Sequence, residues 1–292
     1  MVKVAKPFLK WVGGKRALLP VYEPYLPRFK IPYYAEPFVG GGAMYFHLNY
    51  RITEMAILSD SNPHLINTYK HVRDRVGKLM ELLKASQDVY LQGDRDQRQK
   101  HYYRTRELDR APLWDSNTVY AASRFIFINR TGYNGLWRVN KAGQCNTPHG
   151  MYSNPTICDG VALAAAEDAL YRVIMWNMDF QDAIHRILEL GRLWGIKFFV
   201  YLDPPYTDTA FTSYTADGWT DVDTELLITA MSALDIGGHK FMCSNSPAFS
   251  DAIARSGEGD HWRVHNIMAR RNVNSDPEGR GKVMEILVRN YD

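Results

Sequence analysis

Phe198-Phe199-Val200-Tyr201-Leu202-Asp203-Pro204-Pro205-Tyr206 runs from five consecutive apolar residues into an acid, two prolines and an aromatic. The apolar run has the length and composition of a buried strand. Each proline fixes φ near −65° and removes a backbone donor, and the residue before it is pushed towards an extended conformation. The strand must therefore end in a stiff ledge whose carbonyls local N–H groups cannot consume. Asp203 and Tyr206 project beyond that ledge, at the edge of the sheet. The tetrapeptide alone leaves a purely structural alternative open, a rigid turn with Asp203 as a local cap.

Upstream, Pro32 to Phe38 reads as a short strand, Val39-Gly40-Gly41-Gly42-Ala43-Met44 as a glycine-rich turn and Met44 to Tyr50 as the start of a helix. Strand, glycine turn, helix is the order in which nucleotide-like cofactors lie against a sheet, although the G-x-G-x-x-G spacing is absent. A second strand, Met55 to Asp60, ends in an acid roughly twenty residues beyond the glycines, where a carboxylate accepts both ribose hydroxyls. Together the two strand ends predict an adenosine site. Earlier still, Phe8-Leu9-Lys10-Trp11-Val12-Gly13-Gly14-Lys15-Arg16 brings two glycines and two cations to the start of a helical stretch, where the backbone can approach a ligand and Lys15 can meet an anion.

After Asp60 the pattern predicts a long helix from about His64 to Lys84, a polar exposed region from Gln87 to Arg110 and a helix over 116–127. Then comes Asn129-Arg130-Thr131-Gly132-Tyr133-Asn134-Gly135-Leu136-Trp137-Arg138, in which Asn-Gly marks a tight turn; Lys141-Ala142-Gly143-Gln144 suggests a hairpin tip. Arg pairs bidentately with guanine, Asn with adenine, and apolar tips wedge between bases. From Ser116 to Cys158 there is no Asp or Glu, while Arg124, Arg130, Arg138, Lys141 and His149 fall inside, a candidate electrostatic footprint. Further strands are expected over 173–180, 239–244, 262–268 and 282–289, and helices over 182–194 and 222–234. Thr207–Thr220 reads as a loop long enough to move over a site, and Arg270–Gly281 as a basic, glycine-bearing mobile loop.

The 292 residues allow one large domain or a domain with an insertion; 46% hydrophobic and 23% charged residues are ordinary for a globular chain. A net charge of +3 says nothing by itself about nucleic acid. No apolar run is long enough to span a bilayer, and the amino terminus lacks a signal-peptide core. Three widely spaced cysteines, Cys145, Cys158 and Cys243, argue for a reducing compartment; with His149 they match no standard zinc pattern, so no metal is expected. A cytoplasmic monomer is the expectation.

In order, the motifs Phe8-Leu9-Lys10-Trp11-x-Gly13-Gly14-Lys15, Glu36-Pro37-Phe38-Val39-Gly40-x-Gly42, Ser59-Asp60-Ser61-Asn62, Asn129-Arg130-x-Gly132-Tyr133-Asn134-Gly135-Leu136-x-Arg138, Pro148-x-Gly150-x-Tyr152 and Asp203-Pro204-Pro205-Tyr206 resemble the Dam-like DNA adenine-N6 methyltransferases of the alpha group. The match runs from about Pro7 to Tyr206 and weakens in the last third. It implies an α/β fold, a Rossmann-like methyltransferase sheet with a helical and hairpin insert for DNA recognition. The expected parts are 1–70 for the cofactor, 71–160 for target recognition and 161–292 for the rest of the catalytic domain. It implies S-adenosyl-L-methionine as methyl donor and double-stranded DNA as partner. By motif match, Trp11, Gly13, Lys15, Phe38, Gly40, Gly42, Asp60 and Asp203 line the cofactor pocket, with Phe180 and Asp182 around its adenine. Lys10, Arg130, Tyr133, Asn134, Leu136, Arg138 and Tyr152 face the DNA, with Lys10 and Arg138 as guanine readers. The family's best-known target is GATC; Met151, where close relatives carry a basic residue, and bulky Trp137 are departures from the pattern.

The chemistry also follows from the residues themselves. Adenine's exocyclic amine is a poor nucleophile, because its lone pair is delocalised, and it must leave the duplex to react. Asp203 and the Pro204 carbonyl can accept its two hydrogens, Pro205 stiffens the ledge, and the Tyr206 ring can stack on the base. Other amino methyltransferases with a similar tetrapeptide act on cytosine N4, RNA bases or a glutamine side chain. A DNA-binding regulator without turnover is the rival from another class, and methyl incorporation into duplex DNA separates the two.

Overall fold

The computed structural model describes residues 5–206, 219–270 and 282–292. The two loops read as mobile segments, Thr207–Thr220 and Arg270–Gly281, fall outside these residues except at their margins. The described strands are β1 (Ile31–Glu36), β2 (Ile52–Asp60), β3 (Val173–Asn177), β4 (Phe198–Leu202), β5 (Lys240–Asn245), β6 (Arg263–Arg270) and β7 (Lys282–Arg289). The α-helices are α1 (Leu19–Tyr22), α2 (Ala43–Leu48), α3 (Pro63–Asp74), α4 (Val76–Gln92), α5 (Arg95–Arg106), α6 (Val119–Thr131), α7 (Gly160–Leu170), α8 (Phe180–Trp194), α9 (Asp221–Ile236) and α10 (Ala248–Ser256). The Rossmann-like α/β expectation is met. Contacts divide the chain into two compact units: 1–14, 40–47 and 62–177 form one; 15–39, 48–61 and 178–292 form the other. The expected boundaries at 70 and 160 both fall inside the first unit.

In the second unit six strands lie in the order β2-β1-β4-β5-β7-β6. β2, β1, β4 and β5 are parallel, and β7 runs antiparallel to both β5 and β6. All five residues of β4 are buried, as expected of a strand covered on both faces. The chain proceeds from β1 outward to β2, and from β4 outward in the opposite direction to β5. The β1/β4 pair is therefore the switch point at which ligands settle outside the strands' carboxyl ends. Register fixes what stands there. Leu202 pairs with Cys243, so Asp203 follows alongside Ser244; Asn245 pairs with Ile286, so antiparallel β7 carries Glu285 to the same edge.

The first unit is built around α6, of whose thirteen residues eleven are buried. That burial overrides the sequence reading of one residue in particular. Arg124, counted in the basic footprint, ion-pairs with Asp109 at 2.7 Å, with the two side chains 2% and 6% exposed. Its Nε donates to the Thr105 carbonyl, and its guanidinium lies over the Trp114 and Trp137 rings. Asp109 in turn accepts the Cys145 N–H at 2.7 Å.

Several boundaries differ from the pattern for local reasons. The expected long helix is two, because Arg75 leaves helical geometry (φ −145°, ψ 35°) between α3 and α4. The strand expected to reach Phe180 stops at Asn177, because the Asp179 carboxylate accepts from the Gln181 and Asp182 N–H groups and starts α8. Asn62 likewise caps α3 ahead of Pro63, and Thr118 caps α6. α10 was not foreseen.

Asp109→Ala would strand a buried guanidinium and a buried N–H. Urea unfolding is expected to show a loss of about 3 kcal/mol, against less than about 0.5 kcal/mol for Glu107→Ala on the neighbouring surface.

Candidate active site

The ledge after β4 is tied into a network of polar contacts. Lys15, in a short turn of 3-10 helix and buried, places Nζ 2.8 Å from Asp203 Oδ1. Ser244 Oγ donates to the same oxygen at 2.9 Å, and so Tyr201 OH is the donor to Ser244 Oγ, also at 2.9 Å. Burial acts against the Lys15 charge, but the carboxylates of Asp203 and Glu285 outweigh it and raise its pKa above the ordinary lysine value. The anion that the sequence reading sought for Lys15 thus includes a carboxylate of its own chain. Tyr206 is 9% exposed; its hydroxyl donates to Glu285 Oε2 at 3.3 Å, and the Lys15 ammonium sits 4.8 Å from its ring centre. Burial first, then the Asp203 and Glu285 charges, push the Tyr206 phenol well above its usual pKa, so it stays a neutral donor. Beside this group, at the end of β1, buried Glu36 accepts from Tyr34 OH at 2.7 Å.

The same unit assembles the aromatic part of the predicted cofactor site. Phe38, just past β1, stacks on Phe180 with ring centres 5.2 Å apart and planes 27° apart. Trp219, which the sequence reading missed, closes on both at 5.9 and 5.4 Å. Asp60 ends β2 half-buried, as expected. Asp182 is exposed in the first turn of α8, its N–H on Asp179. Glu36 and Asp60 end parallel strands, and Asp203 directly follows a third, at one edge. Carboxylates and aromatic rings there suit a ligand that brings hydroxyls, a purine and positive charge.

In the first unit the glycine turn serves Trp11. A Cβ on Gly40 would lie 2.6 Å from the indole Nε1, and one on Gly41 2.8 Å from the Trp11 Cβ; Gly40 also has a φ of +46°. Gly42, at φ +69°, would meet the Tyr69 hydroxyl at 2.5 Å, and that hydroxyl donates to the Gly40 carbonyl. The glycines expected to admit a ligand therefore also admit an indole. Gly13, at φ +73°, turns the chain ahead of Gly14, whose N–H bonds the Trp11 carbonyl.

The expected DNA-facing residues of this unit hang on Asn129, which is 1% exposed. Its Oδ1 accepts the Lys10 N–H at 2.9 Å, and its Nδ2 donates to the carbonyls of Lys10 and Gly135 at 2.7 and 3.0 Å. One amide thus ties the amino-terminal segment to the turn at 133–135. Lys10 is exposed with Nζ 4.6 Å from the Tyr152 ring centre; the Tyr152 hydroxyl accepts the N–H of Asn134, which sits at φ 53°. Tyr133 is exposed and Leu136 partly so. Arg138 is exposed on the expected hairpin, its backbone N–H on Thr147 Oγ1 and its Nε 3.4 Å from Asn146 Oδ1. Val139 and Cys145 pair across that hairpin, which turns through Asn140–Gln144.

Three members of the basic footprint are turned inward. Arg124 is paired as described, and Arg130 donates to the Phe8 carbonyl at 2.6 Å. His149 is buried between Tyr90, whose hydroxyl is 2.7 Å away, and the Tyr102 ring. Trp137, set down as a bulky departure beside the reading loop, is 7% exposed and packs on Phe125 at 4.4 Å. Of the footprint residues, Arg138 and Lys141 remain exposed.

Comparison with known proteins gives the family. Residues 11–273 match the model of the D12 class N6 adenine-specific DNA methyltransferases. The chain belongs to this family. It is 36% identical to the type II methyltransferase M.MjaIII of Methanocaldococcus jannaschii over 98% of this chain and 99% of that one. It is 35% identical to the type II methyltransferase M1.LlaDCHI of Lactococcus lactis subsp. cremoris, over 98% and 95%. A DNA adenine methylase of Vibrio cholerae is 27% identical over 98% and 96%. This member of the D12 class is thus a DNA adenine-N6 methyltransferase by family. Among its described residues no helix is long and apolar enough to cross a membrane.

The residues that the sequence reading missed, Ser244, Glu285, Tyr22 and Trp219, lie outside every recognised motif. Ser244 ends the expected strand 239–244, Trp219 lies in the loop from Thr207 to Thr220, and Glu285 is one acid in the run Val283-Met284-Glu285-Ile286-Leu287-Val288.

Asn129→Asp keeps the acceptor for Lys10 N–H but cannot donate to the two carbonyls. It is expected to cost about 2–3 kcal/mol in urea unfolding, at least as much as Asn129→Ala. A cost well below that of Ala would show that the two carbonyl bonds contribute little.

Proposed function

We propose that the chain transfers a methyl group from S-adenosyl-L-methionine to N6 of an adenine flipped out of double-stranded DNA, within GATC or a relaxed relative of it. The observation that carries this reading is the Asp203 carboxylate on its proline ledge, held by Lys15 and Ser244 at the β1/β4 switch point. Among the described residues both partners sit on Oδ1, so Oδ2 is the oxygen offered to one amine hydrogen. The Pro204 carbonyl takes the other, and the nitrogen lone pair is drawn out of conjugation. The exposed margin of the Tyr206 ring supports the base, and Pro205 keeps ring and carboxylate at fixed spacing. When bound, S-adenosylmethionine supplies an electrophilic methyl on a sulfonium sulfur. Asp60 would hold its ribose hydroxyls, and Phe38 and Phe180 its adenine, with Asp182 nearby. By motif match Trp11, Gly13, Gly40 and Gly42 are assigned to the cofactor as well. Because the electrophile needs no activation by the protein, the chain contributes positioning and two acceptors.

Lys10 and Arg138, both exposed, are the guanine readers in this account, and Tyr133, Asn134, Leu136 and Tyr152 frame them. Arg130, half-buried with its guanidinium on the Phe8 carbonyl, is kept with them on the DNA-facing side. The burial of Trp137 removes one objection to GATC, whereas exposed Met151 is the remaining departure. The enzyme acts as a cytoplasmic monomer in this reading.

Asp203→Ala is expected to lower transfer of labelled methyl groups to duplex DNA by at least about 1,000-fold while cooperative unfolding is retained. Sequencing DNA treated with the native enzyme should place N6-methyladenine in GATC or sites one base removed from it. Marks lying only elsewhere would reject the specificity, and DNA binding without incorporation would reject the activity.

A further inference from the structure

Glu285 lies on β7, beyond the 11–273 span that matches the family, and is 6% exposed. Its Oε2 accepts two phenolic hydrogens, from Tyr22 at 3.0 Å and from Tyr206 at 3.3 Å. Burying a carboxylate is costly unless hydrogen bonds and an opposite charge compensate it. Here the two phenols supply the bonds, and Lys15, whose charge Glu285 helps to stabilise, supplies the cation. Apolar residues of similar volume would fill the space between α1 and β7 without that cost, so bridging two tyrosines is not needed for packing. What the carboxylate adds is direction. Tyr22 is fully buried on α1 and holds Glu285 from one side, leaving the other side of Oε2 for the Tyr206 hydroxyl. Lys15 lies over the Tyr206 ring while it pairs with Asp203, so the ring is fixed at its hydroxyl and across its face.

We propose that Glu285, anchored by Tyr22, is a positioning residue for methyl transfer: by accepting the Tyr206 hydroxyl it sets the ring that follows the two prolines and thereby its spacing from Asp203. This inference rests on the function proposed above and concerns the same site. It places a determinant of the rate beyond the 11–273 span that matches the family.

Single-turnover methyl transfer, KM for a GATC duplex and thermal unfolding would be measured for Glu285→Leu, Glu285→Gln, Tyr206→Phe and the Glu285→Gln/Tyr206→Phe double variant. Glu285→Leu is expected to slow transfer by about 30-fold with KM changed less than about threefold, and Glu285→Gln, which keeps an acceptor at the same reach, to recover to within about fivefold of the native rate. In the Tyr206→Phe background Glu285→Gln should cost less than it does beside native Tyr206, because the bond between the two residues is already gone. A Glu285→Leu enzyme with native unfolding and a rate within twofold of native would overturn the proposal, as would additive losses in the double variant. If Glu285→Leu unfolds early, the Gln/Phe cycle decides alone. A native enzyme that fails to methylate DNA would sink the proposed function itself, a result distinct from native activity with indifferent Glu285 variants.

Discussion

The ion pair between Lys15 and Asp203 is the contact on which the rest of the second unit's chemistry depends. A carboxylate on a proline ledge has no local N–H to satisfy it, and a lysine as buried as Lys15 is costly as a cation unless an anion meets it. Each solves the other's problem at 2.8 Å. The same ammonium lies over the Tyr206 ring and feels the Glu285 charge. Four groups from three distant segments of the chain are thereby held in one electrostatic unit.

Strand register puts that unit in place. Parallel β1, β2 and β4 end at one edge and deliver Glu36, Asp60 and Asp203 together. Parallel β5 brings Ser244 beside Asp203, and antiparallel β7 returns Glu285 to the same edge. The first unit solves a separate problem with a separate device. Asn129, inside an otherwise buried helix, uses both ends of its amide to bind the Lys10 segment to the turn at 133–135. Lys10, Asn134 and Tyr152 then have fixed positions on its surface.

Much of this was legible in the sequence wherever chemistry and local pattern coincide. The run Phe198–Leu202 had to be a buried strand, the prolines had to stop it, and Asp60 had to end the second strand. The hairpin at 138–146 followed from its turn residues. What escaped was set by contacts across long sequence separations. Arg124 reads as a free cation until α6 buries it against Asp109, and Trp137 as an obstacle until it packs on Phe125. Ser244 and Glu285 gain meaning only once β5 and β7 are paired, because no spacing in the chain announces an antiparallel register. Phe180 reads as the end of a strand in the sequence, but the Asp179 cap makes it the first residue of α8.

The most direct measurement is the single-turnover rate of methyl transfer to duplex DNA by Lys15→Met, in protein that still unfolds cooperatively. With the cation gone, Asp203 loses the partner that fixes Oδ1, and Tyr206 loses the charge over its ring. The rate should fall by about 100-fold or more. A rate within twofold of the native enzyme would contradict the claim that this buried pair organises the site.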